Sequence, residues 1–177
     1  VTDDVRAVLP VVRGLGIKAG LVSVKCLQPF PEAELVAALD GKKAVLVLER
    51  SDQMALTQFV TAAVYKGQDN IEKARHDGIP AMQHPVPDLS SAIFGLGGHD
   101  LQPRHLVAAF KALDAQAVPP LIYLGSQFFD PDPDQELKKI QDRLRAAYPL
   151  TAQMALETEP NPALLPDAAL RLRFHSV

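Results

Sequence analysis

The sequence predicts an α/β protein built on a mostly parallel sheet. Two apolar runs with strand character, at residues 18–28 and 44–48, are each followed by a segment whose apolar residues recur at helical spacing. A third short run, Ile93-Phe94, feeds a glycine-rich turn, Gly95-Leu-Gly-Gly-His-Asp100, and another helical pattern follows. Strand, tight turn, helix is the order in which open α/β sheets place ligands at their C-terminal edge. At 177 residues the chain can bury one core and carry a small extension.

The elements follow in order. Thr2 is placed as an N-cap, with Asp3 and Asp4 in the first turn and Val5, Val8, Leu9 and Val12 on one face; Pro10 interrupts the pattern and Gly14 and Gly16 close it. A helix at the very start, with no strand ahead of it, suggests a piece of a longer polypeptide. Residues 18–28 read as the first strand, stopped by Pro29 and Pro31. Pro31 suits the first position of a helix whose core face is Leu35, Val36, Ala38 and Leu39, closed by Asp40-Gly41. The continuous apolar run 44–48 reads as a strand covered on both faces and therefore central. Glu49-Arg50-Ser51-Asp52 lies at its end, before a helix carrying Leu56, Phe59, Val60, Ala63 and Val64.

Residues 68–78 read as a helix end or surface turn, and 79–86 as a strand pushed towards an edge by Pro80, Pro85 and Pro87. Pro103 opens a helix with Leu106, Val107, Phe110 and Leu113. The paired prolines 119 and 120 mark a boundary. Beyond it, 121–124 is a short strand, and Asp132 and Pro133 start a helix lined by Leu137, Ile140 and Leu144. Residues 151–168 read as a linker and the alternating 170–177 as a strand.

The composition excludes several function classes. A net charge of −3 leaves no basic footprint for nucleic acid. No apolar run is long enough to span a bilayer and no signal peptide is visible, so a cytoplasmic setting is expected. The single Cys26 can form no internal disulfide and no four-thiolate cluster; in a strand it reads as a small buried hydrophobe.

Gly95-x-Gly97 starts like a dinucleotide fingerprint, but Asp100 stands where the third glycine belongs. The plainer reading is a tight turn with glycines at positive φ and Asp100 bonded to backbone amides near Gln102 or Arg104, capping the next helix. If His99 and Asp100 faced an open cleft instead, a binding role would regain ground. Arg50 can hold a phosphate or carboxylate, or can pair with Glu49, Asp52 or a neighbouring domain. The five histidines show no metal-ligand spacing and no serine sits in a nucleophile elbow. Arg50, Gly95, Gly97, Gly98, His99 and Asp100 therefore form the one candidate constellation, for an anion or an interface, with no catalytic, cofactor or metal residue assigned.

Four stretches together carry a family resemblance: 2–6 (Thr-Asp-Asp-Val-Arg), 24–31 (Val-Lys-Cys-Leu-Gln-Pro-Phe-Pro), 47–52 (Val-Leu-Glu-Arg-Ser-Asp) and 94–103 (Phe-Gly-Leu-Gly-Gly-His-Asp-Leu-Gln-Pro). In this order they resemble the 2-oxoacid:ferredoxin oxidoreductases, in the domain similar to the C-terminal domain of transketolase. The resemblance implies a three-layer α/β/α fold with its first strand missing, over residues 1–116. A strand-helix extension and linker then occupy 117–168, and 169–177 opens a following gamma-type domain of a fused alpha and gamma chain. It implies a parent enzyme that oxidatively decarboxylates a 2-oxoacid such as pyruvate, makes acyl-coenzyme A and reduces ferredoxin or flavodoxin. Thiamine diphosphate with Mg and iron-sulfur clusters would be held by other domains, with coenzyme A as substrate. The implied role here is structural, in an oligomer with other domains or subunits as partners, without nucleic acid or membrane. The 177 residues alone are expected to be inactive, and an exposed sheet edge could pair with another copy.

Overall fold

The computed structural model describes residues 1–164; the strand read at 170–177 lies outside the described residues. Three parallel strands, β1 (Ala44–Glu49), β2 (Asp88–Phe94) and β3 (Leu121–Leu124), form a sheet in the order β1-β2-β3. Among the described residues six α-helices accompany them: α1 (Thr2–Gly14), α2 (Glu32–Leu39), α3 (Ala55–Lys73), α4 (Pro103–Asp114), α5 (Gln135–Ala147) and α6 (Pro149–Gln153). Parallel pairing demands a crossover between neighbours, and α3 and α4 supply the two. Glu49 pairs with Ile93, and Phe94 with Leu124, so the C-terminal ends of all three strands open onto one edge.

Alternation along β1 separates two layers. Val45 and Val47 pack with Leu35, Val36 and Leu39 of α2 and Val60, Ala63 and Val64 of α3. Leu46 and Leu48 turn to the other face, where Ala92, Phe94 and Ile122 meet Ala109 of α4 and where Val5, Val8 and Val12 of α1 pack against Leu106. This is the expected three-layer arrangement. The helices covering opposite faces of a parallel sheet remove both faces of its strands from water, which is why β1 is apolar from Ala44 to Leu48.

Gly67 is central to the first layer. A Cβ there would stand 2.7 Å from Val36 Cγ1 and 3.2 Å from Met82 Cγ, so only glycine lets α3 approach α2 this closely. Lys66 adds a partly buried ion pair to Glu32 across the same contact at 2.7 Å. Asn70 finishes α3: its amide donates to the carbonyls of His76 and Ile79 and accepts from the His76 amide, which satisfies a buried side chain and pins the loop behind it.

Several expectations are corrected. Residues 18–28 form no strand: Ile17, Ala19 and Leu21 pack against α1 and α4, and Thr2 Oγ1 bonds Ser23 Oγ at 3.2 Å, so the alternation is satisfied by helix packing rather than by a ladder. Cys26 is consequently exposed, not buried. β1 lies at the edge of the described sheet and β2 at its centre; an apolar strand reports covered faces, not lateral neighbours. Residues 79–86 are a loop, because their amides bond elsewhere: Met82 N donates to Gly67 O, and Gln83 and His84 donate to the Asp40 carboxylate. Strand pairing begins only at Asp88, past the last proline.

At the helix ends, Thr2 is the first helical residue rather than the cap, Pro31 precedes α2 rather than opening it, and Asp134 rather than Asp132 caps α5, accepting from Leu137 N at 2.7 Å. Pro10 sits inside an unbroken α1. The strand read as opening the extension, β3, lies beside β2 in the same sheet, and within 151–164 a short helix and a bridge from Ala155 to Tyr123 replace part of the linker.

Replacing Gly67 by alanine forces Val36 and Met82 to shift in a filled core. It should lower stability by about 1–3 kcal/mol, read from urea unfolding followed by circular dichroism. An unchanged midpoint would show that α2 and α3 can separate freely.

Candidate functional site

The C-terminal edge of the sheet is built from three loops. After β1, Arg50 to Gln53 turn sharply into α3 through Met54, which adopts a left-handed conformation (φ 48°). After β2, Gly95, Gly97 and Gly98 all have positive φ, at 76°, 64° and 77°, the conformation that glycine adopts at least cost. After β3 comes Gly125, φ 73°. Each loop must reverse direction within a few residues, and positive φ is how the chain does so.

Glu49 ends β1 with a buried carboxylate. Its Oε1 accepts from the Thr57 amide at 2.6 Å and from Thr57 Oγ1 at 3.0 Å. Thr57 is the third residue of α3, so the carboxylate satisfies an otherwise unpaired amide and sits where the helix dipole favours negative charge. Thr57 Oγ1 also lies 2.9 Å from Ser91 Oγ of β2. Glu49, one of the partners the sequence offered to Arg50, is used instead to start a helix.

Arg50 is left exposed, and among the described residues it makes no ion pair. Its side chain crosses to the neighbouring loop, where a Cβ on Gly95 would lie 3.6 Å from Arg50 Nε. Parallel pairing of β1 and β2 thus brings Arg50 and the glycine turn together, although 45 positions separate Arg50 from Gly95 in sequence. His99 folds back over Gly97, whose Cβ would be 3.5 Å from the ring.

Asp100 does not cap α4. It is exposed, and the amides it was expected to hold are taken by others: Gln102 N donates to His105 Nδ1 at 3.0 Å, and Arg104 N to Asn161 Oδ1 at 3.0 Å. His105 is the functional-edge residue that sequence reasoning passed over. Its ring is buried against Gly125, where a Cβ would stand 3.1 Å from Cε1. Because Nδ1 accepts, the ring is neutral with its proton on Nε2. Burial pushes its pKa down to about 4, the nearby Arg104 and His99 act in the same direction, and the Asp130 carboxylate opposes them.

Elsewhere, Asp69 gathers Arg75, Lys73 and His76 around one carboxylate. The hydrogen bonds from Arg75 and Lys73 hold that carboxyl well below the usual range against the cost of burial. It lies among the residues following Gly67, remote in sequence from every strand end, and fastens the end of α3. Among the described residues, no group of three or more His, Cys, Asp or Glu could hold a metal ion, and no helix is long and apolar enough to cross a membrane.

A parallel sheet covered by helices, with its turns gathered at the C-terminal edge, defines an open α/β domain. The family model of the pyruvate:ferredoxin oxidoreductase core domain II matches residues 1–106, and the chain belongs to that family. Pyruvate synthase subunit PorA of Thermotoga maritima is 31% identical over 113 residues, 62% of this chain and 25% of the relative. The chain thus covers about a quarter of that relative's length. No solved structure matches.

Two outcomes test the site's internal chemistry. Glu49→Ala leaves the Thr57 amide unpaired and its hydroxyl with Ser91 alone, and should cost about 1–3 kcal/mol, measured by denaturant unfolding; a cost near zero would place no weight on this junction. For His105 the folded pKa is depressed, so folding favours the neutral ring. Its contribution is complete above the ordinary value of 6.5 and is lost as pH falls from there towards about 4. Stability followed over that range should decline in the native chain and decline less in His105→Gln.

Proposed function

We propose that this chain is a non-catalytic positioning and assembly domain of a thiamine diphosphate-dependent 2-oxoacid:ferredoxin oxidoreductase. The parent would convert a 2-oxoacid such as pyruvate to acyl-coenzyme A and reduce ferredoxin or flavodoxin. Family membership supports the parent class, and one observation carries the role: the buried side chains of Glu49, Ser91 and His105 at the C-terminal edge are spent on neighbouring groups. Glu49, Thr57 and Ser91 form one closed junction, and Gln102 with His105 another. No acid, base or nucleophile among them is aimed at a shared reacting point, as catalysis requires.

The residues present do not fit the parent's cofactors. One thiol, Cys26, cannot supply the thiolates of an iron-sulfur cluster, and among the described residues no three His, Cys, Asp or Glu side chains gather into a metal site. On this reading thiamine diphosphate, Mg and the clusters reside in other domains or subunits, coenzyme A reacts there, and this domain packs against them in an oligomer. Residues 1–116 would form the packing domain, 117–168 its extension and 169–177 the start of the next unit.

A second reading is favoured by one observation: Arg50 lies against Gly95 with no acidic partner among the described residues. An arginine beside a glycine turn can hold a carboxylate or phosphate. Calorimetric titration of the purified chain with pyruvate, coenzyme A and inorganic phosphate separates the two. The assembly reading expects no saturable heat and no 2-oxoacid turnover. Binding in the micromolar range that Arg50→Ala abolishes would overturn it in favour of an anion site.

A further inference from the structure

The segment after α6 runs back across the domain instead of leaving it. Its beginning is seated firmly. Tyr123 N donates to Met154 O at 2.8 Å, Ala155 is buried and bridges Tyr123 in parallel, and Leu156 packs on the cluster of Ala92, Phe94 and Ile122. Its end is held only from the surface. Glu159 pairs with Lys111 at 2.8 Å, with both side chains exposed. Exposed Asn161 then reaches the start of α4, accepting from Arg104 N at 3.0 Å and donating to Gln102 Oε1 at 3.1 Å.

The position of Asn161 matters because the local capping box of α4, in which Gln102 and His105 serve each other, does not reach the Arg104 amide. No Ser, Thr, Asp or Asn occupies the residue before Pro103; Gln102 does. Asn161 therefore supplies, from 57 residues away, the oxygen that the second helical amide lacks. The residues immediately before this turn of helix are the glycine turn, and the family match, which ends at residue 106, does not include residue 161.

We propose that residues 154–161 are a latch with a fixed root at 154–156 and a releasable tip at 159–161. Through Asn161 the tip holds the first turn of α4 and, with it, the glycine turn that precedes it. The tip rests on solvent-facing bonds, which open at low cost, whereas the root shares the sheet's own core. Closing the latch orders the C-terminal edge beside Arg50; releasing it loosens that edge and leaves the sheet intact. The following part of the chain thereby gains a means of setting the mobility of an edge that lies inside the family domain. The inference stands whether that edge packs against a neighbour or holds an anion.

Amide hydrogen exchange of the purified chain tests it. In Asn161→Ala, exchange across residues 96–106 should rise about fivefold, the factor one net hydrogen bond supplies, while β1, α3 and residues 154–156 exchange at the native rate. Asn161→Asp keeps the acceptor and places a negative charge at the helix N-terminus, so residues 96–106 should exchange no faster than in the native chain. Three outcomes would overturn the latch: no change in Asn161→Ala, an equal rise in both variants, or lost protection spread over the sheet.

Discussion

One buried carboxylate ties the architecture together. Glu49 terminates β1, starts α3 and, through Thr57, reaches Ser91 in β2. A parallel strand pair needs its crossover helix to enter at a fixed angle, since the helix must return over the sheet to begin the next strand. The carboxylate sets that entry by giving the third amide of α3 an acceptor that belongs to the strand itself. With α3 anchored at Glu49, Gly67 can meet Val36 and Met82 at a distance that no side chain would allow, and the α2–α3 layer closes.

The same economy explains the polar groups at the C-terminal edge. A buried amide or carboxylate without a partner costs more than a satisfied one contributes, so each loop recruits a partner. Glu49 serves Thr57 and, within the first turn of α4, His105 serves Gln102, while at the surface Asn161 serves Arg104. Arg50 differs because it is exposed, and water meets the needs of its guanidinium. Its place beside Gly95 follows from the register of β1 and β2, not from any bond that holds it there.

Much of the fold was legible in the sequence. α1, α3 and α4 carry apolar residues at sustained helical spacing, and 44–48 and 121–124 are short apolar runs between breakers. Misreadings arose where one pattern had two physical causes. Residues 18–28 alternate because one side packs on helices, which looks like a half-buried strand. β2 was harder to see because Ser90 and Ser91 are polar yet buried, and only the partner Thr57, 34 positions away, makes Ser91 tolerable there. Arg50 and the glycine turn could be grouped in advance, since each follows a strand end. The loss of capping duty by Asp100 could not, because its replacement, Asn161, lies in a stretch with no periodicity at all.

These long-range partners also distinguish the matched unit from the physical one. The family match stops at residue 106, four residues into α4, yet the start of α4 is finished by residue 161, and β2 gains its second neighbour only from β3. Without β3, the buried strand Asp88–Phe94 would present an unpaired row of amides and carbonyls; without Ala155, β3 would lose its isolated bridge at Tyr123. The sheet and the edge of this domain are therefore completed by chain beyond the residues that the family model matches: β3 and Leu156 through the core, Asn161 through exposed hydrogen bonds.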